Sequence, residues 1–425
     1  MGRLSRFAEF AFTAIALFML SGAVLLLVLS GGANEEDVGA TYDTSLYRLC
    51  FLAIFGVSSL LLACRWKKSL QAMGDGAFVF SFIMLAIGSV LWSSAPDATL
   101  RNSISLTGSS LFGLYLGTRY NLKQLVSILG WVFSVSIILS FLFSILLPKY
   151  GLMGGVHSGV WRGIYMHKNS LGVRMVNSVV IFLILIFENR QYKWIPYLGI
   201  TLSIILLLFS RSTSSLINTI VALAAFLILQ TVRWNYRLMV LALTMLTLLS
   251  SILTAWLVIN AESIFGSLGK DLTLSGRTVL WSAAWEMIQR KPWFGYGYYG
   301  FWHGMDGESA YIWLVTGWKM NHPHNGFIGV LLDLGFIGLL IFLISLIQNL
   351  YRSLLLLRMS YTATAFYPIL SLLFLIISNL TETSLPFTSD LGCALYVFLS
   401  IVLVREIREA RSSKLNAFKL GYSSG

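Results

Sequence analysis

The chain has 425 residues, of which 57% are hydrophobic and 11% are charged, and its formal net charge is +12. Soluble domains carry about one quarter charged residues, so this composition excludes an ordinary soluble protein and indicates a polytopic membrane protein. The basic residues lie in short clusters between apolar runs, which favours a membrane origin of the charge over nucleic-acid binding.

Apolar runs long enough to cross a hydrocarbon core of about 30 Å predict an all-α fold with twelve transmembrane helices. The first run has 21 uncharged residues, longer than the apolar region of a signal peptide, and we expect it to be retained. The run at 102–118 is rich in Ser, Thr and Gly, which suit helix contacts, and its loss would invert every later segment. The predicted spans lie at 10–30, 49–64, 77–94, 102–118, 125–147, 171–187, 195–210, 214–230, 238–259, 327–348, 362–380 and 389–404.

Lys and Arg accumulate in short cytoplasmic loops, which gives an independent test of this topology. With the N-terminus inside, every predicted inside segment is basic, so both termini are predicted to be cytoplasmic. The tail from Arg405 lies on the anionic inner leaflet or is solvated, and both interpretations stay open. The chain thus divides into nine helices in 1–259 with a basic periplasmic loop near 148–170, a large periplasmic loop with interfacial helices at 260–326, three helices in 327–404, and a tail at 405–425.

Cations in the predicted outer loops depart from the charge rule and therefore call for a functional reason. Guanidinium groups offer paired donors to phosphate oxygens, so the set fits a pyrophosphate at the outer surface. Arg174 and Arg211 lie at span ends, where snorkelling is the structural alternative. All five histidines also fall on this side; the basic candidates are Lys149, His157, Arg162, His167, Lys168, Arg174, Arg211, Arg277, Arg290, Lys291, His303, Lys319, His322 and His324.

The segment after Arg277 predicts an amphipathic helix that Pro292 ends and that lies at the membrane interface. The tract that follows holds seven aromatic residues between Trp293 and Trp302. These rings form either a belt at the headgroups or a platform for sugar rings. The predicted apolar face of the helix consists of Leu280, Trp281, Ala284, Trp285 and Ile288.

The motif NHPHNGF at 321–327 leads directly into the tenth predicted span. A histidine fixed there suits proton transfer from a hydroxyl, because its unperturbed pKa is near neutrality. Asn325 is expected to orient this turn, and Asp333 is expected to support it. A metal is the alternative for the pair His322 and His324, but no third ligand is near in sequence and the three cysteines lack metal spacing, so we predict no metal.

The segments MHKNSLGVRM, LFSRSTSSL, GRTVLWSAAWEMIQRKPWFGYG and HPHNGFIGVLLDLGFIGLLIF, in this order, resemble the O-antigen ligase and Wzy-type polymerase superfamily of bacterial envelopes. The resemblance is closest to members that polymerise exopolysaccharide, and its motifs cover residues 160–350. It implies a metal-independent, inverting glycosyl transfer from a glycan on undecaprenyl diphosphate at the periplasmic leaflet of the inner membrane, without a cofactor.

Carried over by position, the resemblance makes Arg211 and Arg277 pyrophosphate-binding residues and His324 the general base. It gives supporting, substrate-binding roles to Arg162, His167, Lys168, Arg174, His322 and Asn325. Val173, between Gly172 and Arg174, departs from the family pattern and weakens the role of Arg174. A glycan acceptor, membrane lipids, a chain-length regulator and export proteins are the partners that the family implies.

Two alternatives remain open at this point. A ligase would move a finished glycan onto a lipid or other acceptor. A flippase for lipid-linked oligosaccharides would also have many spans, but it predicts charges in the span centres, whereas this sequence concentrates them at the outer surface.

Overall fold

The computed structural model describes residues 3–33, 43–188, 193–231, 277–317, 319–381 and 390–422, with short pieces between 233 and 245. Within these ranges the regular elements are helices, apart from one antiparallel bridge between Leu152 and Trp161, which confirms the all-α class. The α-helices are α1 (Arg3–Leu20), α2 (Leu25–Leu29), α3 (Ser45–Ala63), α4 (Trp66–Asp75), α5 (Ala77–Gly88), α6 (Pro96–Arg119), α7 (Leu122–Leu146), α8 (Pro148–Gly151), α9 (Lys168–Glu188), α10 (Trp194–Phe209), α11 (Thr213–Thr231), α12 (Arg277–Arg290), α13 (Ser309–Thr316), α14 (Gly326–Met359), α15 (Phe366–Thr381) and α16 (Leu391–Tyr422).

Six of the described helices are long and apolar enough to cross a membrane, or seven if α4 and the bent continuation Ala77–Leu91 form one span. Helices also lie at the other predicted spans, except at 238–259, which falls mostly outside the described residues. The protein is therefore an all-α polytopic membrane protein, and the count of twelve spans stays a prediction.

The first predicted span, 10–30, is not one helix. It is broken between Leu20 and Leu25, with Val24 in a left-handed conformation at φ 60°. Neighbouring segments satisfy the freed backbone groups: Val24 N donates to Ile164 O at 2.7 Å, and Arg174 Nε donates to Ser21 O at 3.0 Å. Periodicity and hydropathy carry no signal for such long-range pairing.

Segments predicted to be cytoplasmic meet at one end of the bundle. Glu9, 7% exposed, forms ion pairs with Arg65 at 2.7 Å and with Arg119 at 2.9 Å, and so ties α1 to the turn between α3 and α4 and to α6. Further contacts of this kind are Lys123 with Glu188, Arg233 with the carbonyl of Thr362, Arg405 with the carbonyl of Gly117, and Arg408 with Asp75. We call this the basic end.

The opposite end, which we call the loop end, gathers the segments predicted to be outside. The turn before α6 bonds there to the aromatic tract, with Ser94 N donating to Tyr296 O at 2.9 Å. Because Arg119 at the other terminus of α6 reaches Glu9, α6 crosses the bundle, as the topology requires. Its small residues allow close packing, since a Cβ on Gly113 would lie 2.6 Å from the carbonyl oxygen of Ala394 in α16.

Helix α14 is broken at Gly335, whose φ of 63° and ψ of −162° suit glycine. The loop 292–297 enters this break and pairs with backbone groups on both sides of it. Tyr296 N and Gly297 N donate to the carbonyls of Leu332 and Asp333 at 2.8 and 2.9 Å. Phe336 N and Ile337 N donate to the carbonyls of Pro292 and Trp293 at 2.8 and 3.2 Å. A broken helix is tolerated within a bilayer only when its backbone groups are satisfied in this way.

The basic tail begins as a direct extension of the last span, because α16 runs for 32 residues without interruption. At 1.5 Å per residue it is about 48 Å long, which exceeds the hydrocarbon core of about 30 Å.

Replacement of Glu9 by Ala is expected to destabilise the bundle, because it leaves Arg65 and Arg119 without their counter-charge. The expected loss is about 2 kcal/mol or more, as for other partly buried pairs that lose one partner. Thermal unfolding of the detergent-solubilised protein measures it. Glu409→Ala is the control. Glu409 is 65% exposed, and its contact with Arg405 is long, at 4.0 Å, so little change in stability is expected. Equal melting temperatures for both variants would contradict this role of Glu9.

Gly335→Ala is expected to prevent correct folding, because the added Cβ would lie 2.4 Å from the backbone of Trp293 at a left-handed position. The measurement is the amount of monodisperse protein extracted from membranes. Gly56→Ala in α3 is the matched control, since a Cβ there meets nothing within 4 Å, and its yield should match that of the parent protein. A normal yield of Gly335→Ala would show that the break tolerates a side chain.

Candidate active site

The turn 321–325 is held by the start of α14. Asn325 is the N-cap of this helix, and its Oδ1 accepts from Phe327 N at 3.0 Å and Ile328 N at 3.2 Å. His324 is partly exposed and has a left-handed backbone at φ 50°. The exposed ring of His322 meets it edge-on, with ring centroids 4.2 Å apart. The turn thus presents two adjacent imidazoles at the loop end, and Asn325 positions the backbone below them.

Helix α12 is described from Arg277 to Arg290 and ends just before Pro292, as predicted. Its predicted apolar face does not lie freely at a membrane interface. Leu280, Ala284 and Ile288 are buried in a second core with rings from the aromatic tract and with residues of α13 and α14. Trp285 remains 47% exposed. The helix is therefore docked onto the protein along most of its apolar face.

One hydrogen bond joins α12 to the histidine turn. The indole Nε1 of Trp281 donates to the carbonyl oxygen of Pro323 at 2.9 Å, next to His324. Arg277 precedes Trp281 by one helical turn, so the two residues share a side of α12. Arg277 therefore lies on the side of α12 that bonds to the histidine turn.

The aromatic tract divides into buried and exposed rings. Tyr296 and Phe301 are 1% and 0% exposed and belong to the second core. Trp293 and Phe294 are 65% and 48% exposed. The exposed rings extend a lateral patch in which Trp293 and Trp285 both contact Phe336, and Phe294 contacts Trp92. This arrangement favours the belt interpretation for the exposed rings.

Arg211 lies in the turn between α10 and α11, is exposed, and has a left-handed backbone at φ 48°. Its neighbours fix the turn against α9 and the preceding loop. Ser212 Oγ donates to Asn169 Oδ1 at 3.1 Å, and the ring of Phe209 stacks on Trp161 with centroids 4.5 Å apart. Arg211 therefore sits beside the first turn of α9.

That first turn carries a second basic group. His167 caps α9, because its Nδ1 accepts from Asn169 N at 3.2 Å. Lys168 Nζ lies 3.4 Å from His157 Nδ1, and the rings of His157 and His167 are 6.1 Å apart. With Arg211, these residues form a positively charged group at the loop end.

Arg162 has a different placement from the rest. It is 1% exposed, and its guanidinium donates hydrogen bonds to backbone carbonyls. These bonds connect the loop between α8 and α9 to the residues that follow α2. This placement favours a structural role, and the substrate-binding role predicted for Arg162 stays a prediction. The carbonyls belong to Tyr150, Ala33, Met166, Gly32 and Lys149.

Arg174 connects α9 to α16. Its Nη2 lies 3.7 Å from Oδ2 of Asp390, whose Oδ1 accepts from Cys393 N at the start of α16. Arg174 is thus linked through Asp390 to the start of α16.

Asp333 was expected to support the histidine turn, and this expectation is wrong. Its carboxylate faces the backbone N–H of Tyr299, and its carbonyl accepts from Gly297 N. Asp333 therefore serves the docking of the aromatic tract.

The predicted residues form two groups at the same end of the bundle. Arg277, His322, His324 and Asn325 lie on the two segments that the Trp281–Pro323 bond joins, whereas Arg211, His167 and Lys168 lie on the two segments that the Ser212–Asn169 bond joins. Their convergence into one pocket stays a prediction.

Residues 198–343 match the family described as O-Antigen ligase, a range that includes Arg211, Arg277 and His324. The chain is also 24% identical over 325 residues to the exopolysaccharide production protein ExoQ of Rhizobium meliloti (strain 1021), a match covering 74% of this chain and 73% of that protein. This chain is similar to the O-antigen ligase and Wzy-type family. The matched range holds the break of α14 at Gly335, all of α11 and most of α10.

Two residues with contacts near the predicted site are not predicted as site residues from the sequence. Trp281 is predicted only to lie on an apolar face, and its indole N–H gives no signal of a bond to residue 323. Asp390 is the second residue. Its pairing with Arg174 has one signal in the sequence. Asp390 is an acid at the start of a helix, and it is predicted to lie on the same side of the membrane as Arg174.

Trp281→Phe is expected to lower glycan transfer about tenfold to 100-fold while the protein remains folded, because it releases α12 from the histidine turn. The assay is polymer formed by a strain that carries the variant, normalised to protein in the membrane. Trp285→Phe, one turn further along α12, is the matched control and should retain activity. Equal activity of the two variants would mean that the Trp281 bond does not position the site.

Proposed function

We propose that this protein is a membrane glycosyltransferase that polymerises glycan repeat units carried on undecaprenyl diphosphate into exopolysaccharide or O-antigen. The observation that supports the proposal is the Trp281–Pro323 bond, which joins α12, the helix that carries Arg277, to the turn that carries His324. A phosphate-binding cation and a titratable imidazole at one membrane face are the groups such a transfer needs.

The proposed location is the bacterial inner membrane, with both termini in the cytoplasm and the site in the periplasm. The basic end supports this orientation, because arginines and lysines from several loops lie there. Cytoplasmic loops of membrane proteins are enriched in these residues. The loop end then faces the periplasm, where the lipid-linked glycan would be available.

In the proposed reaction, a hydroxyl oxygen of the acceptor sugar attacks the anomeric carbon of the donor. His324 accepts the hydroxyl proton as the new C–O bond forms. The bond from the anomeric carbon to the diphosphate oxygen breaks, and its electron pair leaves with the undecaprenyl diphosphate. Attack from the opposite face inverts the anomeric centre.

Arg277 and Arg211 are proposed to bind the diphosphate and to stabilise the charge that develops on the leaving oxygen. Such electrostatic stabilisation and the alignment of two lipid-bound partners contribute more than proton transfer alone. Lys168, His167 and His322 would bind donor or acceptor at the rim. Asn325 and Arg174 act through backbone and helix placement, as their contacts indicate.

Polymerisation is preferred because ExoQ, which aligns along most of its length, is a protein of exopolysaccharide production. The second candidate is ligation of a finished glycan to a lipid or other acceptor. It is supported by the match of residues 198–343 to the O-Antigen ligase family. A chain-length regulator and export proteins are proposed partners of the polymerase.

Arg277→Ala and His324→Ala are expected to lower polymer about 100-fold or more at unchanged protein abundance, because each removes a group that acts in the transition state. Arg290→Ala is the matched control, since it removes an arginine from the exposed far end of the same helix. Polymer is measured against protein extracted from membranes. Near-normal polymer from Arg277→Ala or His324→Ala would overturn the assignment.

The size of the lipid-linked glycans in the same strains separates the two candidate functions. Loss of a polymerase leaves single repeat units on the carrier, whereas loss of a ligase leaves long chains on it. Long chains in the Arg277→Ala strain would replace the polymerase proposal with the ligase.

A further inference from the structure

Helix α4 lies between two spans at the basic end, in a segment that the sequence analysis treated as a short loop. It meets the following helical segment, Ala77–Leu91, at an angle of 92°, so it runs crosswise to that segment. Its last residue is fixed to the bundle, because Asp75 pairs with Arg408 at 2.7 Å and its carbonyl accepts from Arg352 at 3.1 Å.

One side of α4 packs on the protein, where Ser69 and Ala72 are 7% and 6% exposed. A second side carries Trp66, Leu70 and Met73, which are 58%, 59% and 39% exposed. Their spacing of four and three residues places them on one stripe of the helix. This stripe is apolar and is open in the folded chain.

The remaining side of α4 is polar and exposed, with Lys67, Lys68 and Gln71. Successive residues of an α-helix are rotated by about 100° around its axis. Viewed down the axis of α4, the centre of the apolar stripe is therefore about 90° from the centre of the packed side, and it points away from the centre of the polar side. A helix that rests sideways against a bundle, with one flank in hydrocarbon and the opposite flank in water, has this distribution.

We propose that α4 is an interfacial helix that binds anionic phospholipid in the membrane leaflet at the basic end. Trp66, Leu70 and Met73 insert beside the acyl chains, and the ammonium groups of Lys67 and Lys68 bind phosphate headgroups. The charge complementarity supports a lipid occupant, because Lys67 borders the stripe, Lys68 lies on the adjoining polar side, and the only acid in α4, Asp75, is already paired with Arg408. This site is at the opposite end from the proposed active site and does not depend on its chemistry.

Spin labels on the two flanks of α4 test its orientation. Nitroxides are attached at Leu70→Cys and Gln71→Cys in a full-length protein that lacks Cys50, Cys64 and Cys393 and retains its thermal unfolding profile. In phosphatidylglycerol-containing vesicles, the label at 70 should be relaxed more by oxygen and the label at 71 more by a water-soluble nickel chelate. Equal exposure of both labels to the chelate would overturn the proposal. Protection of the label at 70 from both oxygen and the chelate would also overturn the proposal, because it would show that protein covers this position instead of lipid.

The lysines are tested by lipid selectivity. Lys67→Gln/Lys68→Gln is expected to weaken binding of phosphatidylglycerol relative to phosphatidylcholine by about fivefold for each lysine. Native mass spectrometry of protein released from mixed nanodiscs counts the retained lipids. Lys149→Gln/Lys319→Gln removes two exposed lysines from the other end and should change retention less. An equal change in both double variants would show that α4 is not a specific lipid site.

Discussion

The break in α14 is the constraint on which the architecture of the loop end depends. Four backbone hydrogen bonds between 292–297 and 332–337 replace the helical bonds that Gly335 interrupts. This pairing fixes the aromatic tract inside the bundle, and the tract in turn fixes α12 and the histidine turn. A loop that in most membrane proteins would move over the surface is here part of the packed interior. The hydrogen bond from Trp281 to Pro323, which joins the helix of Arg277 to the turn of His324, forms within that docked arrangement.

The two ends of the bundle use their cations differently. At the basic end, arginines are matched to Glu9, Asp75 or backbone carbonyls and hold helices together. At the loop end, Arg162 and Arg174 have such structural partners, whereas Arg211 stands exposed at a helix turn. Charge alone therefore does not mark a binding residue. Burial and the identity of the partner separate the cations that hold the fold from those that face outward.

The sequence predicted the class of fold and most helix positions because apolar runs and basic loops report directly on membrane crossing. It also predicted α12 to within a few residues, since Arg277 to Pro292 has a clear period and a clear stop. It missed the breaks at Ser21–Val24 and at Gly335, because both are stabilised by backbone bonds to distant segments. It predicted substrate-binding roles for Arg162 and Asn325, and these roles stay predictions, while in the structure the Arg162 guanidinium donates to backbone carbonyls and Asn325 Oδ1 accepts from backbone N–H groups. Residue types suggest which side chains can bind a glycan or a phosphate. Only the folded structure shows which of their donors and acceptors already bond to the backbone.

Arg211 and His324 share an unusual backbone state with Val24 and Tyr299 among the non-glycine residues that the structure describes. Left-handed geometry at such residues costs about 1 kcal/mol or more in conformational energy. Glycine would relieve that strain at both positions while deleting the side chains. Selection of this protein for heat resistance alone would thus tend to erase the very groups proposed to act on the glycan. At Arg211 and His324, a gain in folding stability would thus come with a loss of the proposed activity.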